Sequence, residues 1–252
     1  MTDPLTEVHH FAYGWFHPAM AFSLAFLGST LGLGCAARAR AGSAGWQRAQ
    51  WLVLAAISIG GSGIWLMHFM AMLGFDISPG PVRYDPWLTG LSMLIAVGTV
   101  GAGLFVVSAA KVSIPRLLTG GLFTGFGVAA MHYTGMAAVR LPGRLTYDPN
   151  LVAASVLIAV AASTVALWFT VSLHRDGHIV AGALLMAVAI SGMHYTGMAA
   201  VRVELDPARE VTGVSSVLLL VPIVLITAGV LLTASMVALR AVTIEEFESP
   251  RA

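Results

Sequence analysis

The chain has 252 residues, of which 58% are hydrophobic and only 10% are charged, and its formal net charge is +1. Its mean hydropathy is +0.85, and the charged fraction is far below the roughly 25% of an ordinary soluble domain. This composition excludes a soluble globular domain and predicts a protein embedded in membrane lipid. The near-neutral charge gives no indication of nucleic-acid binding, and we expect none.

The apolar residues fall into seven runs, each long enough to cross a bilayer as a helix. Short polar or proline-containing segments separate the runs. We therefore predict an all-α, polytopic membrane helix bundle that occupies residues 14–240 and is followed by a short tail, 241–252. The predicted spans are 14–37, 49–73, 87–110, 117–139, 151–173, 179–201 and 214–239.

The distribution of Lys and Arg between alternate loops predicts the orientation. The N-terminal MTDPLTEVHH lacks the basic start of a cleavable signal peptide, so we expect the first run to be a true span. The loops that carry the larger set of Lys and Arg residues are expected in the cytoplasm, which places the C-terminus there and the N-terminus on the outer side. This set is Arg38, Arg40, Arg48, Lys111, Arg116, Arg175, Arg240 and Arg251, against Arg83, Arg140, Arg144, Arg202 and Arg209 on the other side.

One motif occurs in three of the spans. The second span contains GGSGIWLMHFMAM, the fourth FGVAAMHYTGMAA and the sixth AISGMHYTGMAA. Each copy has Met-His, followed by another Met four residues after the His. The histidines are 64 residues (132 − 68) and 62 residues (194 − 132) apart. This near-constant period indicates one helix pair copied three times.

The connecting segments repeat as well. Asp85, Asp148 and Asp206 each stand immediately before a proline. Asp before Pro is typical of a helix start, because the carboxylate accepts unpaired backbone N–H groups and proline needs none at the first helical position. We therefore expect these aspartates to be helix caps and not metal ligands.

Because the second, fourth and sixth spans run in the same direction, their histidines lie at one depth, in the outer leaflet. Ionisable groups at such depth usually face the bundle interior and mark functional sites. Residues four apart share one face of an α-helix, so each histidine points with the methionine that follows it. The predicted metal ligands are His68, His132, His194, Met72, Met136 and Met198.

The neighbours of the histidines form a second group. Met67, Met131 and Met193 precede the histidines and point roughly 100° away, so they pack a neighbouring helix or act as ligands to the cofactor from an unwound turn. Tyr133 and Tyr195 follow two of the histidines. They either orient a ligand histidine or belong to an aromatic belt at the membrane interface.

Imidazole and thioether ligands without thiolate or carboxylate favour copper, and Cu(I) above all. Zinc would more often bring Cys or carboxylate ligands. Haem is the alternative, because two histidines, or one histidine and one methionine, are ordinary axial ligands in a helical bundle. The residues themselves leave both possibilities open.

The motifs MHFMAM, MHYTGM and MHYTGM on alternate spans resemble the MHYT domain of bacterial membrane signalling proteins. The resemblance covers about residues 14–240. It implies a sensor domain of the bacterial inner membrane that binds copper near the outer face and senses oxygen, carbon monoxide or nitric oxide. In the first copy Phe69 replaces the tyrosine, so no tyrosine ligand is expected there.

Members of that family are often fused to cyclic-di-GMP synthesis or hydrolysis domains or to kinases. Here only RAVTIEEFESPRA follows Leu239. We therefore expect a stand-alone form that signals through a separate cytoplasmic protein.

Three functions are open at this point. The first is a copper-dependent sensor of a diatomic gas or of redox state. The second is copper transport or delivery, which the histidines His9, His10 and His17 near the N-terminus favour. The third is a membrane haem protein. No constellation typical of hydrolytic or nucleotide chemistry occurs, so we do not expect an enzyme.

Overall fold

The computed structural model describes residues 7–9, 14–41, 45–78, 80–109, 112–206, 208, 210–215, 218, 221, 224–225, 228–229 and 232. Within these residues, six helices are long and apolar enough to cross a membrane. They are α1 (Phe16–Arg40), α2 (Gly45–Met72), α3 (Pro86–Ser108), α4 (Ile114–Ala137), α5 (Pro149–Ser172) and α6 (Asp176–Ala199).

These helices confirm six of the predicted spans. The largest boundary difference is at the start of α2, which begins at Gly45 where the sequence predicted Ala49. Most of the seventh predicted span, 214–239, and the whole predicted tail, 241–252, lie outside the described residues. Both remain predictions.

The six helices form a closed ring. Each packs against its neighbours in chain order, and α6 packs against α1. The histidine-bearing helices α2, α4 and α6 therefore alternate around the ring with α1, α3 and α5. Large apolar side chains such as Leu94 and Leu157 are exposed on the outer surface of the ring, as expected where the solvent is lipid.

Ten residues of α2, Ile57–Leu66, are π-helical. The sequence analysis treated this span as a continuous α-helix, which is wrong for these ten residues. At this level α2 is wedged between two backbones: a Cβ on Gly28 of α1 would overlap Gly63, and a Cβ on Gly60 would overlap the carbonyl of Ala96 in α3. Small residues permit such close approach, and π-helical turns often occur near functional sites.

Short strands cover the end of the bundle at which α2, α4 and α6 finish, which we call the histidine end. β1 (Glu7–His9) pairs with β2 (Asp76–Ser78). β3 (Arg83–Tyr84) lies between β4 (Val139–Arg140) and β7 (Val214–Ser215), and β5 (Gly143–Tyr147) pairs with β6 (Val201–Leu205). All these pairs are antiparallel. The all-α prediction omitted them.

Three predicted helix boundaries fall within these strands, and one of them is the predicted start of the seventh span at Val214, which is the first residue of β7. The sequence analysis extended α4 to Val139 and α6 to Val201, but these valines begin β4 and β6. The preceding carbonyls explain the difference, because those of Ala138 and Ala200 accept hydrogen bonds from the backbone N–H groups of Asp85 (2.8 Å) and Asp148 (2.9 Å). These bonds connect the residue after α4 to the start of α3 and the residue after α6 to the start of α5, and so end α4 and α6.

Two of the predicted aspartate caps are confirmed. Oδ1 of Asp85 accepts hydrogen bonds from the N–H groups of Trp87 (2.9 Å) and Leu88 (3.2 Å). Oδ1 of Asp148 caps α5 in the same way. Asp206 accepts a bond from the N–H of Ala208, but the helix predicted after it lies outside the described residues.

An arginine holds each of these two caps from the following helix pair. Arg140 donates to Oδ2 of Asp85 at 2.7 Å, and Arg202 donates to Oδ2 of Asp148 at 3.4 Å. Arg140 and Arg202 are the last residues of the two MHYTGMAAVR copies. The hydrogen bond from Arg140, followed by that from the Leu88 N–H, holds the pKa of Asp85 below its ordinary value. The repeated arginine therefore links one helix pair to the next.

We expect Asp85→Ala to lower the unfolding temperature of the detergent-solubilised protein by about 3–6 °C, because it removes both a cap and an ion pair. Asp85→Asn keeps the cap and should lower it by less. The pKa of Asp85 is depressed in the folded state, so the contribution of its charge is present above the unfolded pKa and is lost as the pH falls through the folded pKa. The difference between wild type and Asp85→Asn should therefore disappear in acid. Equal unfolding temperatures for all three proteins at neutral pH would contradict the assignment.

Candidate metal centre

The bundle brings three histidines together on its axis. His68, His132 and His194 are 1%, 0% and 2% exposed. They lie four or five residues before the ends of α2, α4 and α6, which is roughly 6–8 Å along a helix. Copies of the motif on three different helices thus meet at a common depth.

The rings face one another through their Nδ1 atoms. Nδ1 of His68 lies 3.1 Å from Nδ1 of His194 and 3.2 Å from Nδ1 of His132. The ring centroids are 4.9–5.3 Å apart, and each pair of rings is close to perpendicular, at 78–81°. The three imidazole rings are therefore roughly perpendicular to one another and are grouped around one common point.

Hydrogen bonding alone does not satisfy this arrangement. Each Nδ1 either carries one hydrogen or offers one lone pair. Nδ1 of His68 has two close Nδ1 neighbours, so it can make a good hydrogen bond with only one of them. A cation at the common point would accept a lone pair from every ring. Each of the three histidines offers one ligand atom, and these atoms all lie within 4.8 Å of one another. Among the described residues, this is the group close enough together to hold a metal ion.

The opposite edges of two rings are seated against glycine. Nε2 of His68 and Nε2 of His132 are buried, and neither has a hydrogen-bond partner among the described residues. Nε2 of His68 faces Gly135, and Nε2 of His132 faces Gly197. A Cβ at either glycine would overlap the ring nitrogen, so each histidine needs a glycine on the next histidine-bearing helix.

Gly135 and Gly197 contact two rings of the candidate site, and the sequence analysis did not identify them. Each stands three residues after a histidine, in the G of MHYTGM. Their identical position in two copies was an available signal, but glycine is so common in membrane helices that it suggested only general packing. The first copy has Ala71 at this position.

The six methionines predicted to contact a metal or cofactor are all buried, with exposures of 0–5% for Met67, Met72, Met131, Met136, Met193 and Met198. Met193 lines a cavity inside the bundle, whereas Met136 lines a polar pocket at the histidine end beside Asp85 and Arg140. Their predicted contacts with a metal or cofactor remain predictions.

The two tyrosines pack beside the histidines. The ring of Tyr133 meets that of His132 edge-on at 4.8 Å, and the ring of Tyr195 meets that of His194 at 4.9 Å. The hydroxyl of Tyr133 hydrogen-bonds to the hydroxyl of Ser155 in α5, 2.7 Å away. Tyr133 therefore links α4 to α5 and supports His132 from the side.

Gly197→Ala should displace His132, and Gly135→Ala should displace His68, because the new methyl group overlaps the ring. Imidazole nitrogen chemical shifts measured by NMR should change for the affected histidine. Gly192→Ala on α6 is the matched control, because nothing lies within 4 Å of a Cβ there, and it should stabilise the helix by up to about 1 kcal/mol. Unchanged histidine shifts in both motif variants would contradict the proposed seats.

The chain matches a known family model three times. The model, described as the MHYT bacterial signalling protein N-terminal repeat, matches residues 61–120, 125–183 and 188–252. No solved structure matches the chain.

Curated relatives extend this match. The chain is 42% identical over 228 residues to MucR, a bifunctional diguanylate cyclase/cyclic di-GMP phosphodiesterase of Pseudomonas aeruginosa. The aligned region covers 87% of this chain and 33% of MucR. The chain is 44% identical over 147 residues to the cyclic di-GMP phosphodiesterase NbdA of the same organism, covering 56% of this chain and 18% of NbdA. The signalling protein YkoW of Bacillus subtilis is 35% identical over 169 residues. The chain thus spans no more than about a third of these relatives, and it belongs to the MHYT family of bacterial signalling proteins.

Proposed function

We propose that this chain is a membrane sensory module in which His68, His132 and His194 bind one copper ion through their Nδ1 atoms. Metal–imidazole bonds are about 2.0–2.1 Å long, so two nitrogens on one ion lie up to about 4 Å apart. The Nδ1 separations of 3.1 and 3.2 Å fall within that limit. The convergence of the three buried rings on one point is the observation that carries the proposal.

The donor set favours copper over zinc. Among the described residues, the cluster contains histidine without cysteine, aspartate or glutamate. Zinc sites usually include thiolate or carboxylate, whereas neutral imidazole and thioether suit copper. Met72, Met136 and Met198, one turn beyond the histidines, are the sulfur ligands that we propose as additional donors.

Copper at this site would supply reversible binding of a diatomic gas or a one-electron change. The chain's own contribution is to convert a small movement of the rings into a movement of helices. Each histidine belongs to a different helix, and the seats of His68 and His132 on glycine leave no free space. Because close-packed interiors transmit displacement, a shift of one ring alters the packing of α2 against α4 and α6.

Haem and transport fit the arrangement less well. A haem macrocycle would have to lie between imidazole rings whose centroids are only 4.9–5.3 Å apart. The Nδ1 atom of His68 lies 3.1–3.2 Å from the Nδ1 atoms of the other two rings, which leaves no room for the macrocycle. For transport, an ion leaving the cluster toward the opposite end would meet the cavity lined by Ile64, Val128 and Ile190, whose wall contains three hydroxyl groups and no charged side chain. Both observations favour a resident metal ion.

We propose the bacterial inner membrane as the location, with the histidine end on the outer side. Three arginines at that end are paired with acidic residues, Arg140 with Asp85, Arg144 with Glu204 and Arg202 with Asp148. The positive-inside rule counts Lys and Arg and gives acidic residues little weight, so the proposed orientation rests on the larger set of basic residues in the loops of the opposite end. The proposed partner is a separate cytoplasmic signalling protein of the cyclic-di-GMP class, by analogy with the names of the relatives.

Purified protein loaded with Cu(I) and then desalted should contain one copper per chain by elemental analysis. His132→Ala should weaken copper binding by more than about 100-fold, since even residues that only orient a ligand contribute 10–100-fold. His174→Ala is the matched control, because His174 is exposed near the opposite end of the bundle. Copper-free wild type after loading, or unchanged binding in the triple histidine variant, would refute the proposal.

Labelling of introduced cysteines tests the orientation. Cys35 is the one cysteine of the chain and is buried, so Cys35→Ser provides a clean background. In intact cells a membrane-impermeant maleimide should label Thr212→Cys, which is exposed at the histidine end. Ser113→Cys, exposed at the opposite end, should react only after lysis. The reverse pattern would show that the orientation is inverted.

A further inference from the structure

A cavity of about 50 Å³ lies inside the bundle, between α2, α3, α4, α5 and α6. Its wall includes Ile64, Val128 and Ile190, together with Leu104, Ala159 and Met193. A buried space needs only about 10–15 Å³ to hold one water molecule. This cavity is therefore large enough to hold a small molecule.

The cavity lies directly beneath the histidines. Ile64, Val128 and Ile190 each stand four residues before a histidine of the cluster, namely His68, His132 and His194. In the α-helices α4 and α6, a separation of four residues places side chains on one face of the helix, about one turn apart. The side of the cavity lined by Val128 and Ile190 therefore lies about one helical turn from the histidine cluster.

The wall offers a guest almost no hydrogen bonds. The hydroxyl of Thr124 donates to the carbonyl of Thr99, and the hydroxyl of Thr170 donates to that of Leu167. Ser163 adds one further hydroxyl to the wall. A buried water needs two to four polar partners, and apolar cavities without them stay dry and take apolar guests.

One side of the cavity faces the lipid. Ala162, Ala166 and Ala189, from α5 and α6, line it and are only partly buried. These alanines carry only a methyl group between the cavity and the outer surface of the bundle. Apolar molecules concentrate in hydrocarbon relative to water, so a neutral gas dissolved in the bilayer has a short route into the bundle.

We infer that this cavity is a binding site for a neutral diatomic gas, which it holds one turn below the histidine cluster. The evidence for gas binding is the cavity alone and does not depend on a bound metal. Delivery of the gas from the cavity to the metal rests on the proposed copper site. Ile64, Val128 and Ile190 separate the two and determine which molecules pass.

Xenon, an apolar probe of similar size, tests the cavity in metal-free protein. Xenon NMR of the full chain in detergent should show saturable binding that Ala159→Val abolishes, because the added methyl groups fill the space. Ala161→Val on the exposed face of α5 is the matched control and should bind as wild type does. If Ala159→Val does not fold, Ala189→Val replaces it. Absence of saturable binding in wild type, or retention of it in the filled variant, would overturn the inference.

A second measurement tests delivery to the metal. In copper-loaded protein, nitric oxide should associate more slowly with Ala159→Val than with Ala161→Val, at equal copper content. Equal rates in these two variants would overturn delivery. A protein that binds xenon but no copper would refute the proposed function while supporting the cavity, so the two failures are distinguishable.

Discussion

Three imidazole rings can meet on the axis of a membrane bundle only where the neighbouring backbones leave room for them. Gly135 and Gly197 provide that room for His68 and His132. A methyl group in either place would push a ring away from the common point. The arrangement of the rings therefore depends on the absence of a side chain at these two positions, and the glycine of each MHYTGM contacts the histidine of the preceding copy.

The rest of the repeated phrase MHYTGMAAVR positions that unit. The alanine carbonyl after each of α4 and α6 accepts a bond from the aspartate that begins α3 or α5, and Arg140 and Arg202 hold the same aspartates from the side. These links set successive helix pairs at one height. Matching heights bring the histidines to the same depth, where their rings can touch. Each copy of MHYTGMAAVR thus carries both a histidine of the candidate site and the arginine that links its helix to an aspartate cap.

Much of this arrangement follows from the sequence because its causes are local or periodic. Apolar length determines the six spans, the Asp-Pro pairs determine two helix starts, and the 64- and 62-residue spacings of the histidines predict a common depth. Other features depend on partners distant in the chain. The π-helical segment Ile57–Leu66 is held between the backbones of two neighbouring helices, and β4 and β6 form by pairing with other strands. Local propensity does not contain that information, and the seats of the rings on Gly135 and Gly197 are invisible for the same reason.

The polar cluster and the apolar cavity beneath it divide the bundle axis into two environments. Burial of three imidazoles inside a membrane bundle is unfavourable unless their polar nitrogens have partners, and under the proposed function a metal ion would be one partner common to all three. X-ray absorption spectroscopy of copper-loaded protein tests this account most directly. It predicts three imidazole nitrogens at about 2.0 Å from copper, reduced to two in His194→Ala. A spectrum without imidazole scattering, or one that His194→Ala leaves unchanged, would contradict the account.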